Sequence, residues 1–192
     1  MEPRRTARTV SPRTRVPAAP ELVFFDTNVL VYAHDADAPR KRDVARALLL
    51  EHLGAGTFRT STQVLAEYFS VLTTKGEVPL PASSAGWLAE QLPADLVVAP
   101  GVGSLRAATR ISVTLGVSIW DAFIAQAAAE CGAGVILTED ARLLAALSAM
   151  GQDGPRGEDP FAVLAGSASA DAAAEPFAEW GSDADDAAFR SL

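Results

Sequence analysis

The sequence contains few of the side chains that build redox centres, zinc sites or thiol nucleophiles. Its 192 residues include one cysteine, Cys131, so the chain cannot form an internal disulfide. They include two histidines, His34 and His52, and both lie far from the cysteine in the sequence. A Cys/His zinc site and a Cys–His catalytic pair are therefore disfavoured, and we expect a protein of the reducing cytoplasm.

Long apolar runs are also missing, although 49% of the residues are hydrophobic. No stretch resembles a transmembrane span, and no apolar segment follows the basic N-terminus, so we expect no membrane association and no secretory leader. A chain of this length is expected to form one domain with a sizeable core.

Charge is distributed unevenly along the chain. Residues 1–20 contain five arginines and one glutamate without hydrophobic periodicity, and we predict a disordered basic tail. Residues 166–192 are rich in alanine and acidic residues, and we predict a disordered acidic tail there. The folded domain should span residues 21–165. The net charge of −8 argues against long-range attraction to nucleic acid, but it permits a nuclease whose own cations bridge protein and phosphate.

Short apolar segments alternate with helical patterns along the predicted domain. Buried strands are predicted at residues 22–25, 57–60, 96–98 and 135–137. Helices are predicted at residues 29–34, 40–53, 61–75, 81–91, 102–115, 118–131 and 140–150. This alternation predicts an α/β fold whose mostly parallel sheet of four to five strands carries helices on both faces. For a fifth strand, residues 151–160 are rich in Gly, Pro and acids, so only residues 161–164 are suitable.

Acidic residues follow two of the predicted strands. Asp26 comes directly after the first strand, and Glu139 and Asp140 follow the fourth. Asp121 lies in the first turn of the helix that begins at Ser118. Because the carboxyl ends of adjacent parallel strands share one edge of a sheet, these side chains are expected to converge there.

Glu67 occupies an unusual position on its predicted helix. Val64 and Val71 lie on the same helical face, so the glutamate interrupts an apolar stripe. No lysine or arginine lies within a helical turn, and burying a glutamate is costly unless it is paired or bound to a cation. Alternatively, Glu67 lies at the margin of the stripe and reaches water.

Each of the other acids also has a simpler structural explanation. Asp26 or Thr27 can cap the following helix, Ser118 and Asp121 have the spacing of a capping box, and a helix dipole favours Asp140. Capping and the helix dipole explain the four acids less well as a set. Clustered carboxylates repel one another, so one or more of them must protonate or bind a cation. Oxygen ligands without His or Cys suit Mg²⁺ or Mn²⁺, which points to phosphoryl transfer or phosphodiester hydrolysis.

The flanking sequence resembles a known family over about residues 22–161. The matching segments are FFDTNVLVYA, QVLAEYFSVLTTK, GVSIWDAFIAQAAAECGAGVILTEDARLL and a final DPF. Together they resemble PIN domains, specifically the VapC-like toxins of toxin–antitoxin pairs. Two features depart from the family pattern: GQDGPRGEDPF replaces an apolar last strand, and both tails lie outside the pattern.

The resemblance carries specific expectations for individual residues. It implies that the metal-binding, catalytic acids are Asp26, Glu67, Asp121 and Asp140. It further implies that Thr27, Asn28, Ser118 and Thr138 line the site and orient water or phosphate, whereas Glu139 matches a variable position.

The resemblance also implies a fold, an activity and partners. The fold would be a three-layer α/β/α sandwich, and the activity that of an endoribonuclease dependent on Mg²⁺ or Mn²⁺. The implied partners are an RNA substrate, a cognate antitoxin protein and a second copy of the chain in a homodimer.

Two other classes of function remain open at this point. A receiver-like signalling module would use Asp26 as phospho-acceptor, but Asn28 stands where a second aspartate is wanted. Lysine is also scarce, with only Lys41 and Lys75. A catalytically silent PIN-like binding module is disfavoured by the intact set of four acids.

Overall fold

A computed structural model describes residues 19–74, 85–151 and 154–165 of the chain. The strands in these ranges are β1 (Val23–Phe25), β2 (Phe58–Ser61), β3 (Val97–Val98), β4 (Val135–Leu137) and β5 (Arg156–Glu158). The helices are α1 (Thr27–Tyr32), α2 (Pro39–Ala55), α3 (Thr62–Thr74), α4 (Trp87–Gln91), α5 (Val102–Leu115), α6 (Ile119–Glu130), α7 (Ala141–Met150) and α8 (Ala162–Ala165), with a 3-10 turn at Ala94–Leu96.

The five strands form one parallel sheet in the order β3-β2-β1-β4-β5. The central strand β1 pairs with β2 on one side and β4 on the other, and Phe24 lies opposite both Arg59 and Ile136. All residues of β1 and β4 are buried, as expected for strands covered on both faces. The predicted α/β sandwich with a mostly parallel sheet is confirmed. From β1 the chain adds β2 and β3 on one side of the sheet, and it then places β4 and β5 on the other side. The boundary between β1 and β4 is therefore a topological switch point. Ligands of open parallel sheets bind at such a point.

The helix boundaries follow the local signals in the sequence. Pro39 lies in the first turn of α2, where its fixed φ and missing N–H cost nothing. The helices α2 and α5 end at Gly56 and Gly116, which adopt left-handed φ values of 70° and 67°. Glycine reaches this conformation without a Cβ clash, so these two residues terminate their helices.

The fifth strand corrects the sequence prediction. Residues 161–164 do not form a strand: Phe161 is buried and Ala162–Ala165 is a short helix. The strand is Arg156–Glu158, which lies within residues 151–160, whose Gly, Pro and acidic residues argue against a strand. As an edge strand it needs only backbone pairing, which Arg156 and Thr138 supply by donating N–H groups to Gly134 and Glu158 carbonyl oxygens at 3.0 Å. Its central residue is Gly157, where a Cβ atom would lie 2.7 Å from Leu144 of α7. A larger residue at this position would force the side chains of Leu144 and Leu147 to move.

Some predictions fall on residues that the structure does not describe. They are the C-terminal tail, the N-terminal tail apart from residues 19 and 20, and residues 81–84 of the predicted helix at 81–91. The described remainder of that helix is α4. None of the helices in the described ranges is long and apolar enough to cross a membrane.

Candidate active site

Asp26 lies at the end of the central strand and is almost completely buried, with 5% of its surface exposed. Its backbone N–H donates to the Leu137 carbonyl of β4 at 3.1 Å. Its Oδ1 caps helix α1 by accepting the Thr27 N–H at 2.6 Å. Its Oδ2 accepts the Thr138 hydroxyl at 2.7 Å and the Asn28 amide at 3.1 Å. Asp26 is therefore a helix cap, and it is also held rigidly at the topological switch point.

Burial raises the pKa of the Asp26 carboxyl to about 7. The hydrogen bonds from Thr138 and Thr27 favour the charged form, but they do not outweigh desolvation. The nearby carboxylates of Glu67 and Asp140 raise the pKa further. A carboxyl with this pKa changes charge near neutral pH, and it binds a cation only by giving up its proton.

Glu67 projects from helix α3 towards the end of β1. Its Oε2 accepts the Thr27 hydroxyl at 2.7 Å, and its Oε1 accepts the Gln63 amide at 3.2 Å. Burial raises the pKa of Glu67; these two hydrogen bonds oppose the change, and the Asp121 carboxylate adds to it. The glutamate is thus half-buried and faces the site.

Asp121 lies in the first turn of helix α6 with 9% of its surface exposed. Its backbone N–H donates to the Ser118 Oγ at 3.1 Å, so Ser118 is the N-cap of this helix. Burial raises the pKa of the Asp121 carboxyl; the Ser118 hydroxyl lowers it, Asp140 raises it and Arg142 lowers it. The cap thus does not exclude a place among the other acids.

Asp140 caps helix α7 after strand β4. Its Oδ1 accepts the N–H groups of Arg142 at 2.7 Å and Leu143 at 3.3 Å. The Arg142 guanidinium lies 3.8 Å from its Oδ2 and is more than half exposed. The Asp140 N–H donates to the Thr138 Oγ at 3.0 Å, and this hydroxyl in turn donates to Asp26. One hydroxyl thus links the ends of β1 and β4.

The four acids form a closed set of repelling neighbours, which we call the carboxylate quartet: Asp26, Glu67, Asp121 and Asp140. Asp26 is influenced by Glu67 and Asp140, Glu67 by Asp121, and Asp121 by Asp140. Four separate parts of the chain contribute one member each. The fold therefore brings together all four acids that the resemblance singled out.

The polar residues implied to line the site also lie there. Thr27, Asn28 and Thr138 each donate a hydrogen bond to a quartet carboxylate, whereas Ser118 accepts from the Asp121 backbone. In this arrangement the first three fix the direction of the acids. Gln63, which sequence reasoning missed, does the same for Glu67, and its i, i+4 spacing on α3 was the available signal.

The quartet suits a hard divalent cation. Among the described residues, no three carboxylate, histidine or cysteine side chains form a group tight enough to hold a metal ion as they stand. Mg²⁺ needs no such cage, since it keeps several waters and binds through one or two carboxylates plus substrate phosphates. The side-chain hydrogen bonds to Asp26 and Glu67 given above come from neutral hydroxyl and amide groups, so a cation would neutralise charge that these contacts leave uncompensated.

A second charged cluster lies one residue from the quartet, and no sequence pattern predicts it. Glu139 accepts hydrogen bonds from the Tyr32 hydroxyl and from the Lys41 ammonium, the latter at 2.6 Å. The ammonium also donates to the Tyr32 oxygen at 3.0 Å and lies 5.6 Å from the centre of the Phe161 ring. We call Tyr32, Lys41 and Glu139 the lysine clamp. It joins α1, α2 and the turn after β4, all next to the quartet.

Comparison with known protein families identifies the family of this chain. The PIN domain family profile matches residues 23–148, which is more than half of the chain. The chain belongs to the PIN domain family, whose members are typically metal-dependent nucleases that commonly use Mg²⁺ or Mn²⁺. A comparison with curated protein sequences gives no match.

Proposed function

We propose that this protein is an endoribonuclease dependent on Mg²⁺ or Mn²⁺ and that it acts as the toxin of a toxin–antitoxin pair. The observation that carries the nuclease assignment is the carboxylate quartet, whose members repel one another at the switch point of a parallel sheet. Membership of the PIN domain family supports the same chemistry. The toxin assignment rests on the resemblance of the motifs to VapC-like toxins.

In the proposed site, Asp26, Glu67, Asp121 and Asp140 hold the metal. The bound cation would lower the pKa of water and neutralise charge on the scissile phosphate. Water attacks the phosphorus in line, a quartet carboxylate takes its proton, and the bond to the 3′-oxygen breaks as this oxygen takes a proton from solvent. The products then carry 3′-hydroxyl and 5′-phosphate ends. Thr27, Asn28 and Thr138 keep the acids in position, and Ser118 holds the first turn of α6.

The proposed partners are RNA, a cognate antitoxin protein and a second copy of the chain, in the cytoplasm. One face of helix α5 supports a protein contact, because Val102, Leu105 and Val113 are exposed there at helical spacing. A receiver-like function finds less support: Asn28 donates to Asp26, and Lys41 is bound to Glu139.

Cleavage of RNA in the presence of metal tests the enzymatic proposal. Purified full-length protein is incubated with a mixture of single-stranded and folded RNAs in Mg²⁺, in Mn²⁺ and in EDTA, beside Asp140→Asn as matched control. We expect cleavage only with metal and only in the parent, with product ends that ligate without prior phosphorylation. Equal cleavage by the Asp140→Asn protein would assign the activity to a contaminant and refute the proposal.

Asp121→Asn separates a metal site from simple helix capping. If Asp121 only caps α6, the substitution should cost about 1 kcal/mol or less and leave cleavage intact. If it belongs to the quartet, the metal-free variant should be as stable as the parent, because one repelling charge is gone. Its cleavage should then fall by several orders of magnitude. Melting curves in EDTA and in Mg²⁺, together with one cleavage assay, distinguish these results.

The toxin role is tested in cells. Induced expression of the parent should arrest growth, whereas Asp140→Asn should not, and sequencing of RNA ends after brief induction should show new 5′-phosphate ends. A small protein encoded next to this chain should relieve the arrest when co-expressed. Full growth with active parent enzyme would remove the toxin assignment and leave the nuclease assignment.

A further inference from the structure

One face of helix α5 is apolar, basic and exposed. Val102 and Val113 have 67% and 79% of their surfaces exposed, so the described part of the chain leaves them largely uncovered. Arg106 lies between them on the same face, because the three residues are separated by four and seven positions along the helix. Leu105 and Arg110 flank this stripe on either side and are also exposed. We call these five residues the α5 face.

The charge of the α5 face is unusual for this chain. The helix contains two arginines and no acidic residue, although the net charge of the chain is −8. Within the described ranges, the guanidinium groups of Arg106 and Arg110 form no ion pair. Glu130 contacts α5 on the opposite, buried side, where it accepts the Ser104 hydroxyl at 3.0 Å. The α5 face therefore suits a partner that is both apolar and acidic.

The C-terminal tail contains a segment with the complementary chemistry. The tail holds six acidic side chains and one arginine. Residues 175–180, which we call the EPFAEW segment, combine two glutamates with two aromatic residues, namely Glu175, Phe177, Glu179 and Trp180. The aromatic rings match the apolar residues of the α5 face, and the glutamates match its two arginines.

The tail is long enough to reach the α5 face. The described part of the chain ends in α8 at Ala165, and residues 166–176 connect it to Phe177. This connection can extend over about 40 Å, which is comparable to the diameter of a domain of this size. A segment tethered in this way has an effective concentration of about 1 mM, so an intrinsic dissociation constant of about 0.1 mM would keep it bound about nine-tenths of the time.

We propose that the EPFAEW segment binds the α5 face of its own chain. The two aromatic side chains cover the apolar residues of the face, and the two glutamates pair with its arginines. Aromatic burial provides affinity, and the charges select this face over others. A second copy of the chain or a partner protein must displace the segment before it can contact α5. This docking does not depend on the proposed nuclease function.

Helix α2 shows why the charges favour α5. Leu50 of α2 is as exposed as Val113, at 75% of its surface. The exposed side of α2 also carries Asp43 and Glu51, however, and these carboxylates would repel an acidic segment. Leu50 therefore provides a matched control for an apolar residue of the α5 face.

Cleavage by chymotrypsin measures the docking in the full-length protein. The protease cuts after Phe177, Trp180 and Phe189, and mass spectrometry gives the initial rate at each site relative to a free peptide of residues 166–192. Phe189 lies outside the EPFAEW segment and is followed by Arg190, so it serves as the internal reference. We expect cleavage at the two sites of the segment to be about tenfold slower than at Phe189, at every protein concentration.

Changes in the α5 face should remove this protection. Arg106→Glu combined with Arg110→Glu places like charges opposite the segment, and Val113→Ser removes apolar surface. Each variant should restore cleavage of the segment to within about twofold of the free peptide, whereas Leu50→Ser should keep the tenfold protection. All of these side chains are exposed, and if one face variant fails to fold, the other provides the same test.

A charge exchange makes the test specific for the proposed contact. Glu175→Lys combined with Glu179→Lys should remove the protection in a chain with the native arginines. The same pair should restore it when Arg106→Glu and Arg110→Glu are also present. Failure of the exchange to restore protection would overturn the assigned pairing of glutamates with arginines.

The remaining outcomes would also overturn the proposal. Cleavage of the segment at the rate of the free peptide in the parent would show that it does not dock. Protection that disappears on dilution would place the segment on another copy, and protection that survives both face variants would place it elsewhere on the domain. Loss of self-association in Val113→Ser, with protection unchanged, would assign the α5 face to a second copy of the chain.

Discussion

Glu139 and Asp140 follow strand β4 one after the other, and their side chains lie in opposite environments. Glu139 has 17% of its side chain exposed and is bound by the Lys41 ammonium and the Tyr32 hydroxyl. Asp140 turns towards the other acids and raises the pKa values of Asp26 and Asp121. The lysine clamp is therefore internally neutralised, whereas the quartet has beside it the half-exposed Arg142, which lies 3.8 Å from Asp140.

The difference sets an ion pair that joins three elements beside a group of carboxylates for which we propose a cation as ligand. Lys41 forms its ion pair with Glu139 at 2.6 Å. Burial first, and neighbouring carboxylates second, disfavour the charged forms of Asp26, Glu67 and Asp121, and a cation bound there would offset this cost. The clamp also fixes the turn that carries Asp140, so the two clusters have complementary roles.

The sharpest way to test this comparison is to neutralise one acid in each cluster. Asp26→Asn should reduce RNA hydrolysis by several orders of magnitude, because it removes the most buried member of the quartet. Glu139→Gln should reduce it by only about tenfold, because that residue acts through the position of the turn. Rates are measured under single-turnover conditions at saturating Mg²⁺. Equal losses in both variants would mean that the clamp belongs to the catalytic site.

The pH dependence of stability should separate the clusters next. In the folded protein the pKa of Asp26 is about 7, against 3.8 for an unperturbed aspartate side chain. A raised pKa means that the fold prefers the protonated form, so the metal-free parent should lose stability relative to Asp26→Asn as pH rises from about 4 to 7. The full difference is on the order of 4 kcal/mol.

Urea unfolding of both proteins in EDTA at pH 4, 5.5, 7 and 8 measures this difference. The difference in unfolding free energy between the parent and Asp26→Asn should stop growing above pH 7, because Asp26 is then ionised in both the folded and the unfolded protein. Parallel profiles for the two proteins would show that burial and the neighbouring carboxylates leave Asp26 with an ordinary pKa.

Mg²⁺ should offset the loss of folding free energy that the buried quartet carboxylates cause. It should not change the stability that the lysine clamp provides. At a hundred times its dissociation constant, Mg²⁺ should stabilise the parent by about 2.7 kcal/mol at neutral pH, since it binds only the folded state. Glu67→Gln should lose most of this gain, whereas Lys41→Met should retain it. Calorimetric melting with and without Mg²⁺ provides the measurement. Retention of the gain in Glu67→Gln would place the metal away from α3.

Removing the cation of the clamp should give the smallest effect. Lys41→Met leaves Glu139 without its ion pair and should lower the free energy of unfolding by about 2 kcal/mol, because both side chains are less than one third exposed. The double variant with Glu139→Gln should recover about 1 kcal/mol of that loss. Urea denaturation of the two single variants and the double variant completes the cycle. Strict additivity would mean that the pair contributes nothing.

Much of the fold follows directly from the sequence. The continuous apolar runs of β1 and β4 predict strands buried on both faces, and their alternation with helical segments predicts a parallel sheet. Gly116 marks the end of α5 because few other residues adopt its left-handed φ of 67° at low cost. Asp26 and Asp140 follow strands that pair in parallel, so their convergence at one edge is a consequence of the same pattern.

Other features were decided only by contacts between distant parts of the chain. The edge strand Arg156–Glu158 has no apolar pattern, because backbone pairing with β4 and the close approach of α7 to Gly157 define it. Lys41 and Glu139 are 98 positions apart, and no local propensity could pair them. Residue chemistry likewise does not say which of Glu139 and Asp140 faces the quartet. The packing of α1 and α2 settles it by placing Tyr32 and Lys41 within hydrogen-bond distance of Glu139.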